Sequence, residues 1–378
     1  MEVISYLLPA LACVYGIWIG YCSIGWLRLQ EVPDVRDHRP DTRVSVVVAA
    51  RNEANNIVGC LDALMALDYP FDLLEVIVVD DHSDDNTWQL ANEFVERKVP
   101  GPVVKVLRAT NGTGKKQALT EGILAAGGQL VFTTDADCRT PPQWLRMMVR
   151  VYESHHPRMM LGTVRLEGKS AFQQWQSLEM AGLMGVTGGM AGWGSPSLAN
   201  GANIGFERQA FLDVGGYGSH MDKASGDDVF LLGAFKKSYG KKSIRFVKDP
   251  RATVATHAIP GWSDFIQQRI RWASKIMAMK DFHIFFGAIL VYFLHLFLLT
   301  TVLLSVIWPG MLFGWLMAMC IKCLFDFLFL YLVGSPPVRK WLWFKVLPAQ
   351  CLNIVYVPWS GLLSFRGAYY WKGRRLSK

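Results

Sequence analysis

Four stretches of this chain carry very little charge, and the segment between the first and second of them alternates short β-branched runs with amphipathic ones. Residues 3–27 are uncharged over a length that crosses a bilayer at about 1.5 Å rise per residue. Residues 284–307, 311–333 and 341–363 predict three further membrane segments. Pro309 and Gly310 join the first two of these as a tight hairpin, and Pro348 and Pro358 make the third kinked, re-entrant or interfacial. In the middle, residues 43–50 (RVSVVVAA), 73–81, 103–109 and 129–137 predict four buried strands. Residues 55–67, the segment opening SDDNTWQLANEF, and residues 115–126 predict the helices between them. Strands alternating with helices imply a parallel sheet, and ligands of such sheets bind beyond the carboxyl ends of the strands.

Charge refines the topology. Arg28, Arg36, Arg39 and Arg43 follow the first apolar segment, whereas Glu2 precedes it, so the positive-inside rule places the middle of the chain in the cytoplasm. A cleaved signal peptide would have a basic start and a shorter apolar run, so residues 1–27 are expected to be an uncleaved anchor. An odd number of later spans would put the basic tail (Arg366, Lys372, Arg374, Arg375, Lys378) outside, against the same rule, and the parity stays open. Hydrophobic residues make up 51% of the chain, and 39 basic against 31 acidic residues leave +8. With no nucleic-acid motif or aromatic interleaving around its basic run at 236–248, that charge fits anionic lipid and phosphate and not nucleic acid. Seven scattered cysteines suit a reduced compartment; Cys320 and Cys323 form a lone CxxC in an apolar span, better read as helix packing than as a zinc site. Lys322 and Asp326, one turn apart in the same span, are expected to pair to lower the cost of charge in a membrane.

The polar clusters all fall at predicted strand ends. Asp135 and Asp137 close the fourth strand, with both side chains on one face because a strand has period two; two carboxylates so close suit a hard divalent cation bridging a diphosphate, the alternative being a solvated strand end or an Asx turn before Pro141. AARNE (49–53) supplies Arg51 and Glu53, which can stack on and hydrogen-bond a base and ribose, and Asp81 in VVDDHSDD can accept a uracil imide proton. NGTGKK (111–116) is not a Walker A loop, having Ala109 and Lys116 where that motif needs Gly and Ser or Thr, yet a lysine opening a helix still pairs with diphosphate. Asp227 and Asp228 precede an apolar helical run, and either simple dipole partners or catalytic acids sit there. Gln268, Arg271 and Trp272 lie in FIQQRIRWASK, just ahead of the second membrane segment.

The ordered set AARNE, VVDDHSDD, GKK, TDADC, SGDD and QRIRW resembles the membrane-bound family 2 glycosyltransferases over residues 43–275, with QRIRW fitting their Q(Q/R)xRW pattern. The resemblance implies an α/β fold of GT-A type: a Rossmann-like, mostly parallel sheet in a cytoplasmic domain flanked by transmembrane helices. It divides the chain into an anchor (1–27), the GT-A domain (28–283), a transmembrane hairpin (284–333), and a third apolar segment with the basic tail (334–378). It implies that Arg51, Glu53 and Asp81 bind the nucleoside, that Lys115, Arg269 and Arg271 attend the diphosphate, and that Asp135 with Asp137 holds Mg2+ or Mn2+. It further implies that Asp228, beside Asp227, is the catalytic base, and that Gln268 and Trp272 meet the acceptor. Arg51 departs from the Tyr frequent in that family, and His257 stands where many members have an acid and receives no role.

The implied reaction is an inverting transfer from a nucleoside-diphosphate sugar, a UDP-sugar first, to a lipid or glycan acceptor at the membrane surface, where membrane lipids are the other partner. The implied location is a bacterial inner membrane, with several spans. A processive polysaccharide synthase is the alternative, and four apolar segments are few for a polymer channel. A nucleotidyltransferase shares the sheet and acids but has no need of QRIRW, and the intact acids argue against a non-catalytic scaffold. GTVRLEG, GANIGF and the Gly-rich run at 185–201 are expected on the acceptor side.

Overall fold

The computed structural model describes the chain apart from residues 1, 34–37, 98–99, 219–225, 277–280, 341, 365–367, 372–373 and 378, so Arg36, Arg366, Lys372 and Lys378 of the basic flanks lie outside the described residues. Its strands are β1 (Val44–Ala50), β2 (Leu74–Asp80), β3 (Val103–Arg108), β4 (Leu130–Asp135), β5 (Met159–Gly162), β6 (Val164–Glu167), β7 (Ile204–Glu207), β8 (Ile244–Val247), β9 (Val254–His257), β10 (Ala368–Trp371) and β11 (Arg374–Ser377). Its helices begin with α1 (Glu2–Arg28), α2 (Ile57–Met65), α3 (Thr87–Glu96), α4 (Lys115–Ala125), α5 (Trp144–His155), α6 (Ala171–Gly192) and α7 (Arg208–Asp213). They continue with α8 (Asp227–Tyr239), α9 (Trp262–Ile276), α10 (Phe282–Leu304), α11 (Met311–Val333), α12 (Pro336–Arg339) and α13 (Leu342–Ser364).

Two compact units divide these elements, one made of residues 29–167 and 194–257, the other of residues 1–28, 168–193 and 258–378. α6 and α9, inside the 28–283 segment that the sequence leads one to expect as the GT-A domain, fall in the second of these units.

The sheet unit holds seven strands in the order β3-β2-β1-β4-β7-β5-β8. β1 is parallel to both β2 and β4, and β3 is parallel to β2, whereas β7 runs antiparallel to β4 and β5. Val44, Val46, Val47 and Val48 of β1 are fully buried, each stabilising the sheet by about 1.5–3 kcal/mol as an upper estimate. α4 lies close on this sheet because Gly122 has no side chain; an added Cβ would come within 2.4 Å of Val47. The register sets Ala50 beside Asp80 and Ala49 beside Asp135, so the polar loops that follow β1, β2 and β4 begin in one row.

The other unit contains four helices long and apolar enough to cross a membrane: 6–28 within α1, and α10, α11 and α13. Twenty-three residues span about 34 Å, enough for a hydrocarbon core of about 30 Å. α13 is one continuous helix with Pro348 and Pro358 inside it. Glycines let α1 and α6 meet backbone to backbone: a Cβ on Gly25 would lie 2.0 Å from the Gly189 carbonyl oxygen, and one on Gly192 would lie 1.8 Å from that of Gly25. At the end of α6 the Trp193 indole stacks on Tyr21 at 4.7 Å and donates to the Tyr21 carbonyl at 2.8 Å, with the Arg28 guanidinium 4.4 Å from its ring centre.

Charge inside this unit is paired as the sequence predicts, and more completely. Lys322 Nζ lies 2.6 Å from Asp326 Oδ2 and 2.5 Å from Gln350 Oε1, Gln350 donates to Asp326 at 2.7 Å, and the Tyr15 hydroxyl donates to the other Asp326 oxygen. One positive and one negative group are thereby closed by two neutral ones, which is how ionised side chains persist in apolar surroundings.

Candidate active site

Two loops at the carboxyl edge of the sheet are knitted to each other. Arg51 donates from one guanidinium nitrogen to the carbonyls of Asp81 and His82, at 2.7 and 2.9 Å, and from the other to Asp84 at 3.2 Å. The backbone N–H of Asn52 donates to Ser83, that of Glu53 to Thr87, and that of Ala54 to Asp85. Asn52 and His82 hold left-handed φ angles of 52° and 54°, a strain these cross-bonds sustain. Glu53 is almost fully buried and accepts from Asn56, while its carbonyl receives the first N–H groups of α2. Asp81, 2% exposed, accepts from the Gly114 N–H at 2.8 Å, which fastens the start of α4 to the end of β2.

That fastening aims Lys115 at the acids. Its ammonium lies 2.5 Å from Asp135 and 3.5 Å from Asp227, so the lysine of GKK joins the acids after β4 to those opening α8. Burial alone would lower its pKa, but Asp135, Asp227 and Asp228 outweigh burial and hold it well above lysine's ordinary value. Buried Tyr217 senses the same field: burial first, then Asp227, raises its phenol well above the ordinary range.

Asp227 and Asp228 occupy the first turn of α8 behind Gly226, whose φ of +88° serves the helix start. Asp228 accepts from the Gly201 N–H at 3.3 Å and from the Val229 N–H at 2.8 Å. The Gly201 carbonyl in turn accepts from Thr133 of β4 at 2.8 Å. A Cβ on Gly201 would lie 2.9 Å from Asp227 Oδ2 and 3.6 Å from Lys115 Nζ, so glycine is what lets this strand of backbone reach the acids. The sequence pattern flags Gly201 only as one glycine in a rich run. Asn203, in GANIGF, proves to be a buried tie: its amide donates to the Thr163 and Ala252 carbonyls and its oxygen accepts from Trp144.

Asp135 and Asp137 do converge, by a route other than the pleat. β4 ends at Asp135, and Asp137 sits in a turn closed by the Cys138 N–H to the Asp135 carbonyl at 3.0 Å. The predicted strand to 137 is two residues too long, because the Arg139–Ala255 bridge draws the chain toward β9 just beyond the turn. Carboxylate oxygens of Asp135 and Asp137 and the Cys138 sulfur lie within 4.8 Å of one another. Burial, with Asp135 and then Asp137 adding to it, raises the Cys138 thiol well above its ordinary pKa, and it donates to Asp137 at 3.7 Å. Two hard oxygen donors beside a protonated thiol fit Mg2+ or Mn2+ better than a thiolate-seeking metal.

The QRIRW residues belong to α9, in the other unit. Arg269 is 5% exposed and ion-paired with Glu179 of α6, whereas Gln268, Arg271 and Trp272 are partly exposed. His257 is exposed at the end of β9.

Residues 45–215 match the family model described as Glycosyl transferase family 2. The probable glycosyltransferase YdaM of Bacillus subtilis is 28% identical over 251 residues, 65% of this chain and 58% of that protein, so the chain spans less than two thirds of that relative's length. The poly-beta-1,6-N-acetyl-D-glucosamine synthase of Staphylococcus epidermidis is 25% identical over 296 residues, 75% of this chain and 68% of its own. The solved mannosyltransferase PcManGT of Pyrobaculum calidifontis, in complex with GDP-Man and Mn2+, superposes with a TM-score of 0.60 at 21% identity, covering 96% of this chain and 98% of that one. This likeness shows the fold: the mostly parallel seven-stranded sheet is GT-A-like.

Proposed function

We propose that this chain, in which residues 45–215 form a glycosyl transferase family 2 domain, is a membrane-bound glycosyltransferase moving a sugar from a nucleoside-diphosphate sugar, a UDP-sugar first, to a lipid or glycan acceptor. The supporting observation is the bridging of Asp135 and Asp227 by one lysine, with Asp228 alongside at the carboxyl edge of the sheet. Acids gathered around a lysine, two of them close enough to share one ion, suit a site completed by a divalent ion and a diphosphate. The reaction is an inverting single displacement. Asp228 takes the acceptor hydroxyl's proton on a carboxylate oxygen, the acceptor oxygen bonds to the anomeric carbon, and the bond from that carbon to the diphosphate oxygen breaks. Mg2+ or Mn2+ on Asp135 and Asp137 would neutralise charge gathering on the leaving diphosphate. Lys115 supplies a fixed positive charge beside it, and Asp81, held by Gly114, presents its carboxylate to the base. Arg51 and Glu53 shape the nucleoside side, and the roles of Gln268, Arg271 and Trp272 rest on their motif alone. The location proposed is a bacterial inner membrane with the sheet unit cytoplasmic.

The test is turnover by purified protein of a panel of UDP- and GDP-sugars with Mn2+ or Mg2+ and a membrane lipid extract. Metal-dependent release of nucleoside diphosphate is expected; pyrophosphate release would point to nucleotidyl transfer, and no release at all would sink the enzyme reading. A processive polymer synthase is the second reading, supported by the breadth of the match to the Staphylococcus protein. The few membrane helices weigh toward a lipid acceptor, and the length of the labelled product separates the two.

A further inference from the structure

Arg269 is held on every side within the apolar-helix unit. Its Nε lies 3.1 Å from Glu179 Oε2 and 3.3 Å from Glu179 Oε1, its Nη2 bonds the same carboxylate, and its Nη1 bonds Gln268. The guanidinium carbon lies 4.3 Å from the Phe265 ring centre and 4.2 Å from that of Trp272. The Tyr356 hydroxyl donates to Glu179, so one carboxylate of α6 ties α9 and α13 together. Around it, Trp175 packs 5.0 Å from Phe265 and 5.1 Å from Tyr356, and its indole donates to Asn353 at 3.0 Å. An arginine with its edge on a carboxylate and two rings against it is spent on packing: a diphosphate would have to break that pair and strand Glu179 half-buried.

We infer that Arg269 is a positioning residue, acting through Glu179 and Tyr356 to set α9 in place for the other QRIRW residues, and does not bind the donor diphosphate. This rests on the transferase reading above. Arg269, on α9, and Tyr356, on α13, both bond Glu179, so removing any of the three loosens the same joint, whereas a donor contact would belong to Arg269 alone.

The experiment uses the full chain in detergent, with Arg269→Lys, Glu179→Gln, Tyr356→Phe and the Arg269→Lys/Glu179→Gln double variant. Melting temperature, donor kcat and KM, and inhibition by UDP are measured for each. We expect kcat of the folded protein to fall roughly 10-fold for Arg269→Lys and for Glu179→Gln, less for Tyr356→Phe, with donor KM and UDP inhibition within about threefold of wild type. The double variant is expected to lose no more than the worse single one. A purely structural role would lower the melting temperature and leave kcat of the folded fraction unchanged, which would overturn the inference. So would a roughly tenfold rise in donor KM for Arg269→Lys that Glu179→Gln does not share. Tyr356→Phe, which removes one hydroxyl, keeps the test open if Glu179→Gln does not fold. If wild type turns over no nucleotide sugar, the transferase reading fails by itself; the joint is then judged on melting temperatures, where additive single effects would refute it.

Discussion

The pairing of Lys322 with Asp326 differs from that of Lys115 with Asp135 and Asp227, and the difference separates architecture from chemistry. In the helical unit Lys322 is 2% exposed and matched one to one with Asp326, with Gln350 sharing the same carboxylate oxygen and Tyr15 donating to the other. At the sheet edge Lys115 faces Asp135, Asp227 and Asp228, with Asp137 beside Asp135, and the Lys115 and Asp135 side chains are partly exposed. A balanced, sealed pair has nothing further to bind. A cluster of acids that solvent reaches attracts cations and the phosphates they carry.

The largest effect that sharpens this contrast should come from Asp228→Asn. Transfer is expected to fall roughly 10²- to 10⁴-fold, with the melting temperature nearly unchanged, because an accessible acid loses its proton-accepting role without breaking the core. Robust turnover by the purified variant would remove Asp228 as the base. Chelation of divalent ions should likewise stop release of nucleoside diphosphate and be reversed by Mn2+ or Mg2+; undiminished turnover in excess chelator would detach Asp135 and Asp137 from metal binding.

The sealed pair should behave in the opposite way. Lys322→Leu alone strands a buried carboxylate and should cost about 3–5 kcal/mol of stability, seen as a lowered melting temperature, whereas Lys322→Leu with Asp326→Leu should recover much of that loss. Full activity of the double variant on its natural acceptor would confine the pair to architecture; a double variant as unstable as the single one would break the contrast drawn here. A smaller effect is expected from Gly201→Ala, whose new Cβ must displace Asp227 Oδ2 from 2.9 Å. A kcat reduced roughly 10-fold, and more than in Thr133→Val, is expected from so slight a misplacement, and wild-type kinetics would show that the acids tolerate it.

The smallest effect is a null one. The pKa of Lys115 is raised, so its stabilising charge is complete at any pH below lysine's ordinary value of about 10.4 and is lost only as pH climbs through the higher folded value. Donor affinity should therefore show no limb from Lys115 between about pH 6 and pH 9, in both wild type and Lys115→Arg. A limb in that window that Lys115→Arg abolishes would contradict this assignment.

How legible all this is in the chain depends on the range of the interactions involved. β-branched runs announce β1 and β2 because a strand buried on both faces must be apolar throughout. The span over 311–333 matches α11 residue for residue, since membrane thickness alone sets its length. The pairing of Lys322 with Asp326 follows from one helical turn, yet Tyr15 is 311 residues from Asp326 and gives no sign of it. The acids of TDADC are visible as a pair, but the strand period gives the wrong reason for their convergence, because a turn closed by Cys138 does that work.

Local order, then, is what the sequence determined by itself: which segments are apolar enough for membrane or core, where helices and strands alternate, and which acids and lysines end the strands. Periodicity and hydrophobicity act over a few residues and are written into them. Tertiary structure alone decided that Gly201 lies against the acids, that α6 and α9 group with the membrane helices, and that Arg269 is matched to Glu179 at a separation of 90 residues. Each of those contacts joins groups distant along the chain, whose meeting depends on the packing of whole elements and not on any local pattern.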